Sequence, residues 1–321
     1  MPDMKTKILK IIQPVLLVLS AACMAGTAQA QIFVSYFPRS GNPDNATIGE
    51  YSTSGASISA SLISGLDDPL SLASDGNGHL FEANFGNNTI GEYSTSGATI
   101  NASLISGLNN PHQMVLDGNG DLFVANADGG TISEYNAISG ATINASLISG
   151  LHDPLGLALD SSGHLFVAND TSGVIGEYTT SGATINASLI SGLSLPSNLA
   201  LDGNGDLFVA NLAGTGTIGE YNATTGATIS ASLISGLGGN GSLAFDGNGD
   251  LFVATSNGTI GEYNATTGAA IHASLVSGIN DITGIVVVVP EPSTFALAAF
   301  GAAGLLACRR TPVRTHSAPR L

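Results

Sequence analysis

The sequence predicts an all-β fold, a six-bladed β-propeller, on three observations. The pair Glu-Tyr recurs at Glu50-Tyr51, Glu92-Tyr93, Glu134-Tyr135, Glu177-Tyr178, Glu220-Tyr221 and Glu262-Tyr263, at spacings of 42, 42, 43, 43 and 42 residues. A period of this length with four short apolar runs per copy marks one four-stranded blade per repeat. Second, Gly, Asn and Asp separate the runs, and these residues accept the positive φ of tight turns. Third, the ends of the repeat region are complementary. Ile32-Phe33-Val34-Ser35 matches the second strand Leu122-Phe123-Val124-Ala125, and Gly284 to Val289 reads as an inner strand. Three front strands and one back strand make the sixth blade, and pairing the first strand with the last leaves no free inner edge.

One copy justifies the elements in order. Gln113 to Leu116 is an apolar run suited to an inner strand buried on both faces. Asp117-Gly118-Asn119-Gly120-Asp121 is a turn, and Leu122 to Ala125 is the second strand. Asn126 to Gly130 is a loop, Thr131 to Tyr135 the third strand, and Asn136 to Gly140 a second turn. Thr142 to Ile148 alternates apolar Ile143, Ala145 and Leu147 with Thr142, Asn144 and Ser146, the pattern of a half-exposed outer strand.

The ends have a different character. Lys5, Lys7 and Lys10 precede an apolar run from Ile11 to Ala22, and Ala28-Gln29-Ala30 supplies the small-x-small site of a signal peptidase. Residues 1–30 therefore read as a secretory signal peptide cleaved after Ala30. A lipoprotein reading would place Cys23 at +1, but the residue three before it is Ser20 rather than Leu. At the other end Pro290-Glu291-Pro292 leads into an apolar stretch, Phe295 to Ala307, followed by Cys308, Arg309 and Arg310. Thirteen helical residues span about 20 Å, short of the ~30 Å hydrocarbon core, so a short apolar helix would lodge only transiently with its arginines on the cytoplasmic side. This order resembles the PEP-CTERM sorting signal of Gram-negative bacteria. The resemblance implies recognition by an exosortase, transient inner-membrane anchoring, removal of the tail 290–321, and release or attachment at the cell surface. An ordinary C-terminal membrane anchor is the plainer alternative.

Composition sharpens this division. The 321-residue chain has a formal charge of −16. Twenty-two of its 24 acidic residues but one of its 8 basic ones, Arg39, lie between 31 and 289, a balance of −21. Such a surface cannot displace counterions from phosphates, which argues against a nucleic-acid partner and against unassisted contact with an anionic membrane. Both cysteines lie in the two ends, so the propeller is held by hydrogen bonds rather than disulfides.

Within 31–289 the inner-strand, turn and second-strand stretch, as in Leu157-Ala158-Leu159-Asp160-Ser161-Ser162-Gly163-His164-Leu165-Phe166-Val167, resembles the NHL-repeat family and its relatives, the lyase and lactonase propellers. The resemblance implies a fold more than a function, because these propellers host many activities. Lactonase-type propellers hold a metal with a Glu, Asn and Asp set in the channel, and no such set maps residue by residue here.

The default pocket of a propeller is the channel mouth, ringed by the loops before the inner strands and after the second strands. Those loops carry Asp68, His112, His152 and Asp153, and the ring Asn84, Asn126, Asn169 and Asn211. Such a set suits a divalent cation or a sugar; alternatively each Asn caps its own loop. His112, His152 and Asp153 break the repeat and are the sharpest candidates. The Asp-Gly-Asn-Gly-Asp turns at 117–121, 202–206 and 246–250 invite a calcium reading, but their sixth residue is Leu rather than the Gly of an EF-hand loop, and a plain hairpin turn competes. The six strand glutamates lack Lys or Arg partners and are solvated, bonded to Thr or backbone donors, or neutralised by cations. The Asn-x-Ser/Thr triplets at Asn101, Asn144, Asn186, Asn222 and Asn264 read as turn and outer-strand residues rather than glycan acceptors. No phosphate loop, nucleophile elbow or His-Glu-x-x-His is present. The expectation is an exported, non-catalytic binding or matrix protein for exopolysaccharide or protein, processed by signal peptidase and exosortase; the rival is a metal-dependent hydrolase or lyase. Near-identical blades favour the first, because one substrate needs different groups from different blades.

Overall fold

The computed structural model describes residues 29–37, 46–239, 241–255, 257–279 and 281–289. Most of the signal segment, the tail with its expected helix, and Arg39, Asn240 and Asn280 lie outside the described residues. Ala30–Val289 is one compact unit of 24 strands in six four-stranded antiparallel sheets.

The chain enters on β1 (Gln31–Tyr36), β2 (Ala46–Ser52) and β3 (Ser57–Leu66). Blade 2 follows as β4 (Pro69–Ser74), β5 (His79–Asn84), β6 (Thr89–Ser94) and β7 (Thr99–Ser106). Blade 3 is β8 (Pro111–Leu116), β9 (Asp121–Asn126), β10 (Thr131–Asn136) and β11 (Thr142–Ser149). Blade 4 is β12 (Pro154–Leu159), β13 (His164–Asn169), β14 (Val174–Thr179) and β15 (Thr184–Ile190). Blade 5 is β16 (Pro196–Leu201), β17 (Asp206–Asn211), β18 (Thr217–Asn222) and β19 (Thr228–Ser235). Blade 6 is β20 (Gly241–Phe245), β21 (Asp250–Thr255), β22 (Thr259–Asn264) and β23 (Ala270–Ser277). The last strand, β24 (Ile282–Val288), pairs with β1 and completes blade 1 in the order β24-β1-β2-β3. Gln31 lies opposite Val288 and Val34 opposite Ile285, so the closure read from the sequence is the closure observed.

Packing follows the alternation of the second and third strands. Phe123 and Ile132 on one face of blade 3 meet Leu165, Val167 and Tyr178 of blade 4 in a single core. Six such cores exist, each between two successive blades, and those on either side of blade 1 use Phe33 with Leu80 and Tyr93, and Phe252 with Ile32 and Tyr51. The repeated Phe and Tyr thus carry the blade-to-blade burial, while the Glu before each Tyr falls opposite the Phe on the same sheet face, as Glu134 does opposite Phe123.

The outer strands differ from expectation. Alternation suggests one buried face, yet Thr142 to Ser146 are all exposed, and Ile143 retains 52% of its surface. The outermost strand reaches past the neighbouring blade, so burial begins only at its second half. There the third-to-fourth-strand turn of the next blade covers it. Gly140 sits at φ 68°, and a Cβ on it would come within 2.1 Å of the Leu104 carbonyl. Glycine is required at that turn by close approach as well as by conformation.

Candidate functional site

The inner strands line the central channel, and their third positions build its waist. Gln113 reaches across: its Oε1 accepts the N–H groups of Leu157 (3.0 Å) and Leu199 (3.1 Å), and its Nε2 donates to the Leu199 carbonyl (2.9 Å). Asn198 Oδ1 accepts from Leu243 N, and Ser242 Oγ from Ile285 N. Each thus holds the inner strand of the next blade. Blade 4 has Gly156 at this position, where a Cβ would lie 2.8 Å from the Ser197 carbonyl. Gln113 therefore serves blade 5 as well as blade 4.

Above the waist is a mouth cavity of about 220 Å³, lined by Leu70, His112, Leu155, Ser197, Leu212 and Thr283 among others. Its lining mixes leucines with hydroxyls, the carboxamides of Gln113 and Asn198, and one imidazole. Burial holds the His112 pKa below its ordinary value, while the carboxylates of Asp153 and Asp128 pull the other way. The imidazole is neutral at pH 7 and offers one donor and one acceptor. Burial pushes the Asp170 carboxyl up, with Asp153 adding like charge, and Asp170 Oδ1 is buried without a partner.

The sequence candidates separate into two groups. His112 lines the cavity and Asp153 stands near enough to act on it. Burial raises the Asp68 pKa, and the like charge of Asp67 adds to the rise. His152 is exposed; its backbone N–H donates to Asn169 Oδ1 at 3.1 Å. The four Asn residues are buried and turned into their loops. Asn84 Oδ1 accepts from Asp67 N, and the amides of Asn126, Asn169 and Asn211 donate to the carbonyls of Val124, Val167 and Val209.

The opposite end of the channel carries the Asp turns. In each, the first Asp turns Oδ1 to two backbone N–H groups, as Asp117 does to Asn119 (2.8 Å) and Asp121 (2.9 Å). Three glutamates find histidines: Glu92 with His79 (3.6 Å), Glu177 with His164 (3.5 Å) and Glu262 with His272 (2.6 Å). Glu50 accepts from Gln31. Burial, followed by the like charge of the turn aspartates, raises the pKa of Glu134 and of Glu220. Among the described residues no three His, Cys, Asp or Glu side chains are arranged to hold a metal ion.

One departure from the repeat escaped the sequence reading. Glu82 occupies the position of Val34, Val124, Val167, Val209 and Val253, is fully buried, and has no hydrogen-bond partner on either carboxyl oxygen. It sits in β5, in the blade that packs against the closing blade. There Ser35 replaces the Ala found in the other blades, and a Cβ on Gly284 would meet Ser35 Oγ and the Leu72 N–H. Ser35 and Thr283 join their hydroxyls at 3.2 Å. A Val-to-Glu change at one copy of an alternating strand was the available signal.

These features define a six-bladed β-propeller with a small channel mouth. A PEP-CTERM protein-sorting motif matches residues 288–310, which include Pro290, Glu291, Pro292, Arg309 and Arg310. The motif implies processing by exosortase during export to the cell surface. A search of curated proteins finds no match. Solved structures share the fold. A nidogen/laminin complex contains a chain 13% identical, TM-score 0.66, with 82% of this chain and 99% of that chain covered. A Bacteroides caccae protein of unknown function is 14% identical, TM-score 0.64, covering 81% and 99%. Virginiamycin B lyase from Staphylococcus aureus is 15% identical, TM-score 0.51, covering 62% and 67%.

Proposed function

We propose that this is an exported, non-catalytic binding protein whose channel mouth takes a neutral sugar unit of an extracellular polysaccharide. The signal segment would be removed after Ala30, and the tail 290–321 would anchor the chain transiently before exosortase processing. The mouth carries the reading. Leu70, Leu155 and Leu212 offer apolar surface to the C–H face of a sugar ring, while Ser197, Thr283 and neutral His112 offer hydroxyl and imidazole hydrogen bonds. At about 220 Å³ the cavity suits one small unit rather than a buried substrate. The surrounding acidic residues disfavour a polyanionic glycan.

A neutral-glycan array is the test, read with the wild-type chain and with His112→Ala and Leu155→Asp. Binding that both variants lose supports the assignment. Binding that survives both, or that selects acidic glycans, refutes it. The lyase relationship makes one further outcome informative: cation-dependent turnover of a lactone or glycoside by the same preparation would transfer the protein to the enzymes.

A further inference from the structure

A second cavity lies at the opposite end of the channel from the mouth, and it is the larger, about 940 Å³ against about 220 Å³. Its walls come from blades 4, 5, 6 and 1. Leu159, Leu201, Phe245 and Val287 form one side. They hold equivalent places on their inner strands, each paired with the Leu or Ile one residue into the second strand. Ser74 and Leu116, the equivalents in blades 2 and 3, do not line the cavity. Phe245 is the aromatic of the six, and Phe208 packs edge-on against it with ring centroids 5.1 Å apart. The other side is acidic. Asp160, Glu177 and Asp202 line it, with His164 as the basic group among them. His164 Nδ1 lies 3.1 Å from Asp160 Oδ2 and 3.5 Å from Glu177 Oε1. Even with that imidazole protonated, three carboxylates face one cation. Glu177 is 6% exposed, and among the described residues His164 is its one close polar partner.

We propose that this chamber is a second binding site, for a small organic cation that joins an ammonium or guanidinium head to an apolar body. The head sits among Glu177, Asp160 and Asp202, and the body lies against Phe245, Leu201 and Val287. The excess of carboxylates selects the sign of the charge. The low exposure of Glu177 strengthens its attraction for a cation beyond that of a surface carboxylate. Phe245 adds an aromatic ring, a favourable neighbour for an organic cation. The volume is that of a small-molecule site, about 300–1,000 Å³, rather than of a bare ion. Among the described residues no three carboxyl or imidazole groups are arranged to chelate a metal, so a diffuse hydrogen-bonding head fits where a divalent ion does not. The chamber lies beyond the Gln113 waist, and its assignment is independent of the glycan reading of the mouth.

Equilibrium dialysis of 4-phenylbutylammonium tests it, with the full chain shielded by a non-ionic polymer and the polymer alone as blank. Two matched probes accompany it: 4-phenylbutyrate has the same body and the opposite charge, and methylammonium has the charge and no body. The wild-type chain should bind the first at one site and the other two at least about tenfold more weakly. Glu177→Gln with Asp160→Asn removes two charges while Asn keeps the turn's Oδ1 acceptor, and should weaken binding by about tenfold or more. Phe245→Leu removes the ring and keeps an apolar wall, and should weaken it about threefold. Glu92→Gln is the control, because Asp75, His79 and Glu92 repeat the same set in blade 2 and do not line the chamber; binding should be unchanged. A wild type that binds no amine overturns the proposal, as does methylammonium or phenylbutyrate binding as tightly as the amine. An equal loss in Glu92→Gln also overturns it, since attraction to the acidic surface as a whole would then be the cause. So does full displacement of the amine by equimolar calcium, which would give the carboxylates to a metal.

Discussion

Replacing Glu82 by Val restores the repeat at the closing seam, and the cost of the natural residue can be worked out. The carboxyl is fully buried and neither oxygen is hydrogen-bonded. Desolvation raises its pKa well above the usual carboxylate range; the Ser71 backbone N–H, close by but too poorly aligned for a full hydrogen bond, offsets only part. The same carboxyl helps push the Tyr93 phenol up to about 12, after the larger effect of burial. In the unfolded chain Glu82 ionises near pH 4.5; in the folded chain it keeps its proton to well above that. The folded state therefore binds the extra proton, and stability is full below about pH 4.5 and falls as pH rises toward the folded pKa. Between the unfolded pKa and the folded one, each pH unit costs about 1.4 kcal/mol. Glu82→Val removes this cost, and the unpaired polar group with it. The variant should melt higher than wild type at pH 7, with the gap narrowing toward pH 5. Thermal melts at four pH values read this directly, because the other raised carboxylates are common to both proteins and cancel. Glu82→Gln is the control, since it keeps an unpaired polar group that does not titrate. A melting gap of the same size at every pH would refute the reasoning.

Two further substitutions probe the channel and its rim loops. Gln113→Ala should destabilise by about 2 kcal/mol, because the Leu157 and Leu199 N–H groups and the Leu199 carbonyl lose a partner together; an unchanged denaturation midpoint would show that water replaces the side chain at no cost. Leu195 holds φ 54°, where the equivalent residues are Asp68, Asn110 and Asp153 at 55–58°. Leu195→Asn should stabilise by about 1 kcal/mol by relieving the left-handed strain, with little burial to lose because Leu195 is 45% exposed. A lower midpoint in urea would contradict that account.

The fold was legible because its two signals are local and repeated. The Glu-Tyr period gives the blades, and the match of Ile32–Ser35 to Leu122–Ala125 gives the closure. The site was less so. The mouth is built from second positions of inner strands, Leu70, His112, Leu155, Ser197 and Thr283, where only the leucines of blades 2 and 4 repeat. Only His112 stands out chemically. Gln113 is equally silent in one dimension, because its partners lie 44 and 86 residues away. The histidine partners of the strand glutamates were visible, but counting only Lys and Arg as counter-groups passed over His79, His164 and His272. The Asn ring looks like a ligand set in sequence. In three dimensions the amides of these Asn residues donate to second-strand carbonyls, and the Oδ1 atoms of Asn84 and Asn169 accept from the Asp67 and His152 N–H groups, while those of Asn126 and Asn211 are buried without a partner.

The distribution of departures from the repeat bears on function. Were the blades purely a scaffold, substitutions would scatter over turns and rim as readily as over the channel. Instead the second and third strands keep Leu-Phe-Val-Ala and Ile-Gly-Glu-Tyr almost unchanged, and divergence concentrates on the inner strands and the seam. The third position of the inner strands is Ser71, Gln113, Gly156, Asn198, Ser242 or Gly284, and Glu82 with Ser35 sets an unpaired acid where the ring locks. Glu82 lowers stability, by the argument above, in a chain whose other five blades show how to avoid it. A residue that costs folding free energy and is compensated nowhere nearby is a mark of a region held for something other than stability. The inner strands are thus the part of the ring whose chemistry is individual, and the second and third strands are the part whose chemistry is shared.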